Sequence, residues 1–322
     1  MVTLERDRLV FRTPQVDPAV RLSVSFQRTL RVPDDGREYP LPAGFGRFPV
    51  RHVEDFGHRL PPEIRRRGGV ILPMHQAEAL WIHFEGEWPM AVQVGTGKIC
   101  AITGERWTDG LRRDPEQNYV VVPEQPWLDG YAVAKGQVRQ FVAMPLGQGY
   151  TVEEQLTGEG EWGGIQLQAF PLRKEVMRLG SRGVMPMEAD VCYSAALPSP
   201  MGLAPGGRIT QEIYEDERPL AHWDQLFGSR VFVHLLNSLD WARVTGEAAP
   251  STPITLEAYR KAGIPWFDHY REDLSAVPGG SGLKGIKSLG QMGGLDDDGP
   301  GPIIHTGPGK RPREVSQGSS WE

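Results

Sequence analysis

The sequence lacks the features that would assign it to a covalently stabilised, membrane or exported class. Its only cysteines, Cys100 and Cys192, are far apart, so neither a disulfide framework nor a zinc site built from cysteine alone is expected. No apolar stretch reaches the roughly 18 to 20 residues of a membrane-spanning helix. The first eight residues carry charges of both signs without a following apolar segment, so no export signal is predicted. These absences predict a cytoplasmic protein without a membrane span.

An excess of positive charge is also missing. The chain has 41 acidic residues against 35 Lys and Arg residues, a formal net charge of −6. A protein that depends on a strongly basic surface to bind nucleic acid would have the opposite balance. With 39% hydrophobic and 24% charged residues, the composition is typical of a globular protein with no strong nucleic-acid signal.

Standard catalytic and cofactor motifs are absent or misplaced. Gly97-Lys98 is followed by Ile99, where a phosphate-binding loop needs Ser or Thr. The spacing of Gly280, Gly282 and Gly285 matches a dinucleotide-binding motif, but no predicted strand precedes it. No serine elbow and no zinc-binding helix motif occurs. We therefore predict no cofactor, and the sequence favours a protein that is not an enzyme.

Short runs of alternating apolar and polar residues are the main structural signal. Such runs are typical of strands with one buried face, and few regular helices separate them. Hairpins are predicted at residues 95–97 and at Lys135-Gly136, the second with Val133 opposite Val138. The sequence predicts a mainly β fold, with a β-sandwich or jelly-roll-like body. The predicted strands are residues 22–26, 90–94, 98–102, 165–170, 208–214 and 230–236.

Helix signals are fewer and short. Thr151 and Glu154 have capping-box spacing before a stop at Gly158. Residues 62–68 and 255–263 also have the start and stop residues of short helices. A further helix is predicted from Pro265, with Phe267, Tyr270 and Leu274 on one face.

These patterns divide the chain into three predicted regions. Residues 1–246 form a β-rich body, and residues 247–277 form a helical appendage packed on it. Residues 278–322 contain 12 Gly and 5 Pro among 45 residues, which predicts a flexible tail.

Four segments, residues 28–36, 123–130, 139–147 and 201–207, resemble a family of uncharacterised microbial proteins. The resemblance covers most of residues 20–275. It implies no activity, and it supplies no catalytic residue.

One group of residues has the composition of a metal site. On a strand, His83 and Glu85 would share a face opposite Ile82 and Phe84, and a bend could bring in two further ligands. Nitrogen and oxygen ligands of this kind suit Zn²⁺, Fe²⁺ or Mn²⁺. The simpler interpretation is the polar face of a strand, so we predict no metal site. The four residues are His75, Glu78, His83 and Glu85.

Tryptophans beside carboxylates in two connections are the more suggestive pattern. In residues 123–130 two prolines stiffen a loop that carries Trp127 between Glu124 and Asp129, which favours a binding loop. A second group, Glu153 and Trp162, follows the second hairpin. If acids from both connections converged at one sheet end, 5 to 10 Å apart, glycoside hydrolysis would become possible.

We therefore expect an intracellular binding or assembly protein that presents Trp-bearing loops to a protein or small ligand. The candidate binding residues are Trp127, Glu124, Asp129, Trp162 and Glu153. A carbohydrate-active hydrolase with paired carboxylates and a protein with a His/Glu metal site remain the alternatives. The sequence leaves the oligomeric state open.

Overall fold

The computed structural model describes residues 1–177, 200–267, 271 and 273–293 of the 322-residue chain. The strands within these residues are β1 (Val2–Glu5), β2 (Arg8–Arg12), β3 (Arg21–Thr29), β4 (Glu38–Tyr39), β5 (Leu41–Pro42), β6 (Gly44–Arg47), β7 (Arg51–His52), β8 (Val70–Met74), β9 (Ala79–Glu85), β10 (Met90–Thr96), β11 (Ile99–Cys100), β12 (Val120–Val122), β13 (Trp127–Leu128), β14 (Gly130–Ala134), β15 (Gln137–Pro145), β16 (Ile165–Pro171), β17 (Pro200–Thr210), β18 (Ser229–Asn237) and β19 (Trp266–Phe267). The α-helices are α1 (Pro62–Arg67), α2 (Val152–Thr157), α3 (Lys174–Met177), α4 (Ser238–Thr245) and α5 (Leu256–Lys261). Short 3₁₀ helices occur at Glu54–Arg59, Leu220–His222, Gln225–Phe227 and Ser281–Leu283.

Seventeen of these strands join one large, mostly antiparallel sheet. Its main path runs β1–β2–β3–β9–β15–β17–β18–β16–β10–β12. Two parallel pairs, β17–β4 and β18–β8, attach at its sides, and β5 pairs with β19 separately. The predicted mainly β fold class is confirmed, and the arrangement is consistent with a β-sandwich-like body.

Alternation of side chains explains how these strands bury one face. On β9, Ile82 and Phe84 are almost fully buried, as the sequence predicts, and Leu80 is buried with them. Trp81 and His83 point to the other face and are only half-buried. The β9 strand therefore supplies both a core layer and a second, aromatic surface.

The two predicted hairpins form, but their details differ from the prediction. In the first, Thr96 pairs with Ile99, so the turn lies at Gly97-Lys98. In the second, Ala134 pairs with Gln137 around the predicted turn. A β-bulge at Val133 then shifts the register by one residue, and Val138 lies opposite Ala132. The predicted pairing of Val133 with Val138 is wrong for this reason.

The helix predictions are correct at α1, α2 and α5. Thr151 and Glu154 form the predicted capping box of α2, and Gly158 ends the helix in the left-handed region at φ +77°. The helix predicted from Pro265 is wrong at its start, because Trp266 and Phe267 form β19 against β5. Tyr270 lies outside the described residues. In the described part of the chain, no helix is both long enough and apolar enough to cross a lipid bilayer.

The segment from Pro278 to Gly293 packs on the β body, which differs from the predicted start of the tail. Gly280 donates its N–H to the Ala132 carbonyl at 2.7 Å, and a Cβ there would lie 2.3 Å from the Ile102 carbonyl oxygen. Leu283 and Leu289 are almost fully buried. Of the dinucleotide-like glycines, Gly280 and Gly282 thus allow close backbone approach, whereas an added Cβ at Gly285 would meet nothing within 4 Å. The rest of the predicted tail lies outside the described residues, and the division into body and appendage stays a prediction.

Candidate functional site

Pairing of β13 with β9 brings two tryptophans together. Trp127 pairs directly with His83, and Leu128 pairs with Ile82. The ring centroids of Trp81 and Trp127 are 6.2 Å apart at an interplanar angle of 64°, a T-shaped contact. His83 packs edge-on against Trp81 at 5.7 Å. The predicted binding loop therefore contributes to an aromatic surface rather than projecting alone from a sheet end.

This aromatic surface forms part of a cleft of about 240 Å³, which we call the tryptophan cleft. Strands β5 and β19 help to enclose it, and Phe267 from β19 is 49% exposed. Gly44 lies against Trp81, where an added Cβ would be 3.2 Å from the indole. The lining residues are Leu41, Pro42, Ala43, Gly44, Trp81, Trp127, Asp129 and Phe267.

Among the described residues, Asp129 is the only ionisable side chain that lines this cleft, and it is 2% exposed. Its Oδ2 accepts a hydrogen bond of 2.9 Å from Gln211 Nε2, and its backbone N–H donates to Gln211 Oε1 at 2.9 Å. No ion pair of Asp129 occurs among the described residues. Burial raises the pKa of Asp129 to about 7, because desolvation disfavours the charged carboxylate. Near neutral pH this carboxyl can therefore exist in either protonation state.

Two glutamines fix the loop that carries Trp127 and Asp129. Gln125 Nε2 donates to the carbonyl of Trp127 at 3.1 Å, and the N–H of Tyr214 donates to Gln125 Oε1 at 3.1 Å. Gln211 holds Asp129 from the other side. These contacts are consistent with the stiff loop expected from its prolines.

Glu124 occupies a different environment from the one expected beside Trp127. Its carboxylate forms an ion pair with Arg218, which also contacts Asp216 at 3.2 Å. Glu124 does not line the tryptophan cleft. Its contacts are those of a residue that ties the loop to the segment after β17.

Glu153 and Trp162 lie together at another part of the sheet. Glu153 is 2% exposed, and its oxygens accept the backbone N–H groups of Lys98 (3.1 Å), Trp162 (3.3 Å) and Gly163 (2.8 Å). The Arg67 guanidinium lies 3.9 Å from the Trp162 ring centroid. Trp162 lines a cavity of about 70 Å³ that shares no residue with the tryptophan cleft.

The acids near Glu153 also have partners within the protein. Glu154 accepts N–H groups from Gly147 and Gly149 in addition to its capping role. Glu159 and Glu161 both form ion pairs with Lys98. The carboxylates of the two connections do not line a common cavity in the described part of the chain.

The four residues considered as metal ligands are likewise engaged. Glu78 is 1% exposed and accepts from Arg28 Nε at 2.7 Å. His75 contacts Ser238 Oγ at 3.0 Å and the Pro250 carbonyl at 2.9 Å. His83 packs on Trp81, and Glu85 lies 3.5 Å from a guanidinium nitrogen of Arg8. Among the described residues, no three His, Cys, Asp or Glu residues are grouped as a metal site requires.

The sequence interpretation did not identify Trp81, Gln211 or Phe267 as site residues. A signal for Trp81 existed, because the period-two pattern of β9 places it on the same face as His83. Gln211 and Phe267 reach the site through long-range folding, and no local pattern marks them.

In comparisons with known proteins, no family model, no curated protein and no solved structure matches the chain. The functional argument therefore depends on the geometry of the tryptophan cleft.

Proposed function

We propose that the protein is a binding protein that holds a small ligand in the tryptophan cleft. The observation that carries the proposal is the joint presence of Trp81, Trp127 and Phe267 around one concavity with the buried Asp129 in its lining. Small-molecule sites are mostly apolar concavities with a few well-placed polar groups, and this cleft has that composition. The cytoplasmic location expected from the sequence is part of the same proposal.

A concave site favours a small ligand over a flat protein surface. The half-buried indoles offer apolar and π surface, and the fixed Asp129 offers one polar anchor that can orient a ligand. The glutamine contacts hold the loop before any ligand binds, which lowers the entropy lost on binding.

The two alternative functions gain less support from the described residues. Glycoside hydrolysis with paired carboxylates needs a second carboxyl near the first, whereas Asp129 is the only acid that lines this cleft in the part of the chain that the structure describes. The His and Glu residues of the possible metal site contact separate partners.

A fragment screen tests the proposal, using monosaccharides, neutral apolar fragments and small organic cations detected by ligand-observed NMR. Trp127→Ala is expected to weaken binding of a cleft ligand by about 2 kcal/mol, the scale of a binding hot spot. Trp162→Ala is the matched control, because it removes another half-buried tryptophan outside the cleft. Absence of any fragment that depends on Trp127, or equal losses in both variants, would contradict the proposal.

A further inference from the structure

Among the residues that the structure describes, no positively charged side chain pairs with the buried carboxyl of Asp129. The nearest arginine along the paired strand, Arg139, sits opposite Tyr131 and forms an ion pair with Asp34 at 3.3 Å. Arg218 is engaged by Glu124 and Asp216. Among the described residues, Gln211 is the only side chain that hydrogen-bonds to the Asp129 carboxyl. A buried carboxylate is costly unless a cation accompanies it, so a cationic ligand would supply what the protein does not.

The walls of the cleft also favour a cation. Indole is the aromatic side chain that attracts cations most strongly, and the attraction increases when the cation leaves water. Trp81 and Trp127 both line the cleft beside Asp129. A cation placed there would contact π surface and a carboxylate at once.

The remaining lining argues against a polyhydroxylated ligand. A sugar needs several hydrogen-bonding partners, whereas the described lining apart from Asp129 and the indoles consists of Leu41, Pro42, Ala43, Gly44 and Phe267. The volume of about 240 Å³ is below the usual range for drug-sized ligands and suits a compact headgroup.

We propose, building on the binding function above, that the tryptophan cleft recognises a small alkylammonium cation, with Asp129 as its counter-ion and Trp81 and Trp127 as its aromatic walls. Methylated or short-chain ammonium groups fit this chemistry because they are cationic and carry an apolar surface.

The protonation state of Asp129 makes the recognition pH-dependent. Its pKa, raised to about 7 by burial, means that the ionised form that pairs with a cation becomes dominant above neutral pH. Among the described residues, the charged or titratable groups on the surrounding elements include His83, whose pKa burial lowers, and Glu85 on β9, and Arg47 on β6. Arg139 with Asp34, Glu124 with Arg218, and Glu212 next to Gln211 complete this set. Affinity for the cation should therefore rise between pH 6 and pH 8, and Asp129→Asn should remove that rise.

Isothermal titration of the full chain with choline and with its uncharged isostere, 3,3-dimethylbutan-1-ol, tests the proposal. At pH 8 the wild-type protein is expected to bind choline at least about tenfold more tightly than the alcohol. In Asp129→Asn the preference for choline should shrink to the smaller part that the indoles supply, while Trp127→Ala should weaken the binding of both ligands and Trp162→Ala of neither. The pH dependence of choline binding by the wild type is a second measurement that needs no variant.

The outcomes separate this proposal from the binding function. Equal affinity for choline and the alcohol, or a choline preference that is undiminished in Asp129→Asn, would overturn the proposal while leaving a small-ligand cleft in place. No binding of choline would also overturn it, and the fragment screen would then decide the binding function independently. A choline preference that depends on Asp129 and increases with pH supports both.

Discussion

The two tryptophan–carboxylate pairs of this protein look alike in sequence and behave differently in the fold. In each pair the tryptophan is half-buried and the acid is 2% exposed. Glu153 accepts three backbone N–H groups, and Trp162 lies under a guanidinium. Asp129 accepts one side-chain amide, and Trp127 lines an apolar cleft. The acid of the first pair is held by three backbone N–H groups, whereas the acid of the second lines the cleft that we propose as the ligand site.

The electrostatics express the same difference. Burial raises the pKa of both carboxyl groups. For Glu153 the N–H groups of Gly163, Trp162 and Lys98 and the Lys98 charge oppose that rise in pKa. For Asp129, Gln211 is the only described residue that opposes it. Strongly raised pKa values are typical of functional sites. Asp129 is therefore a better candidate for a functional residue than Glu153, because backbone N–H groups offset part of the cost of burying the Glu153 charge.

The largest effect is expected from Glu153→Ala. This substitution leaves three backbone N–H groups without their acceptor, and we expect a loss of about 3 to 5 kcal/mol in the free energy of unfolding. Glu153→Gln keeps one oxygen acceptor and should lose less. Urea unfolding of both variants measures the difference. A free energy of unfolding close to that of the wild type in Glu153→Ala would contradict the view that Glu153, unlike Asp129, has a mainly structural role.

The next effect concerns Asp129 and pH. Because its folded pKa of about 7 is above its usual value of 3.8, its contribution to stability is greatest below pH 4 and is lost as pH rises to 7. Relative to Asp129→Asn, the wild type should lose about 2 to 4 kcal/mol over that range. The comparison cancels the opposite trend of His234, whose pKa burial lowers to about 4 and whose stabilising contribution is lost as pH falls below 6.5. If the free energies of unfolding of the two proteins changed in parallel with pH, the cost of burying the Asp129 charge would have to be offset within the protein.

The smallest effect is expected from Trp162→Ala. This variant loses the contact with Arg67 and the packing on Phe232, worth about 1 to 2 kcal/mol of folding free energy at a half-buried site. Ligand affinity in the tryptophan cleft should be unchanged. Thermal melting and the choline titration measure the two quantities. A loss of choline binding in this variant would contradict the separation of the tryptophan cleft from the surroundings of Trp162.

Local patterns predicted the elements of the site better than their assembly. Alternation correctly assigned the buried face of β9, and Thr151 with Glu154 correctly marked the start of α2. The Lys135-Gly136 turn was also correct, but the bulge at Val133 was not visible, because packing against other strands decides whether an extra residue is inserted.

The site itself combines a predictable loop with unpredictable neighbours. Trp127 and Asp129 stood out because they occur among prolines and acids in one connection. Phe267 followed a helical spacing with Leu274, yet it forms a strand because Leu41 and Pro42 lie opposite β19. Pairing with β5 overrode the local helical pattern, and the sequence around Phe267 does not indicate that pairing.

The packing of residues 278–293 also determines when folding can finish. Gly280 and Gly282 bond to the carbonyls of Ala132 and Thr103, which belong to parts of the chain synthesised far earlier. A nascent chain that ends before this segment leaves those carbonyls unpaired and exposes the apolar surface that Leu283 covers. Because contacts so distant in sequence form slowly, the last step of folding has to wait for the C-terminal segment to arrive, and until then the body is open to aggregation.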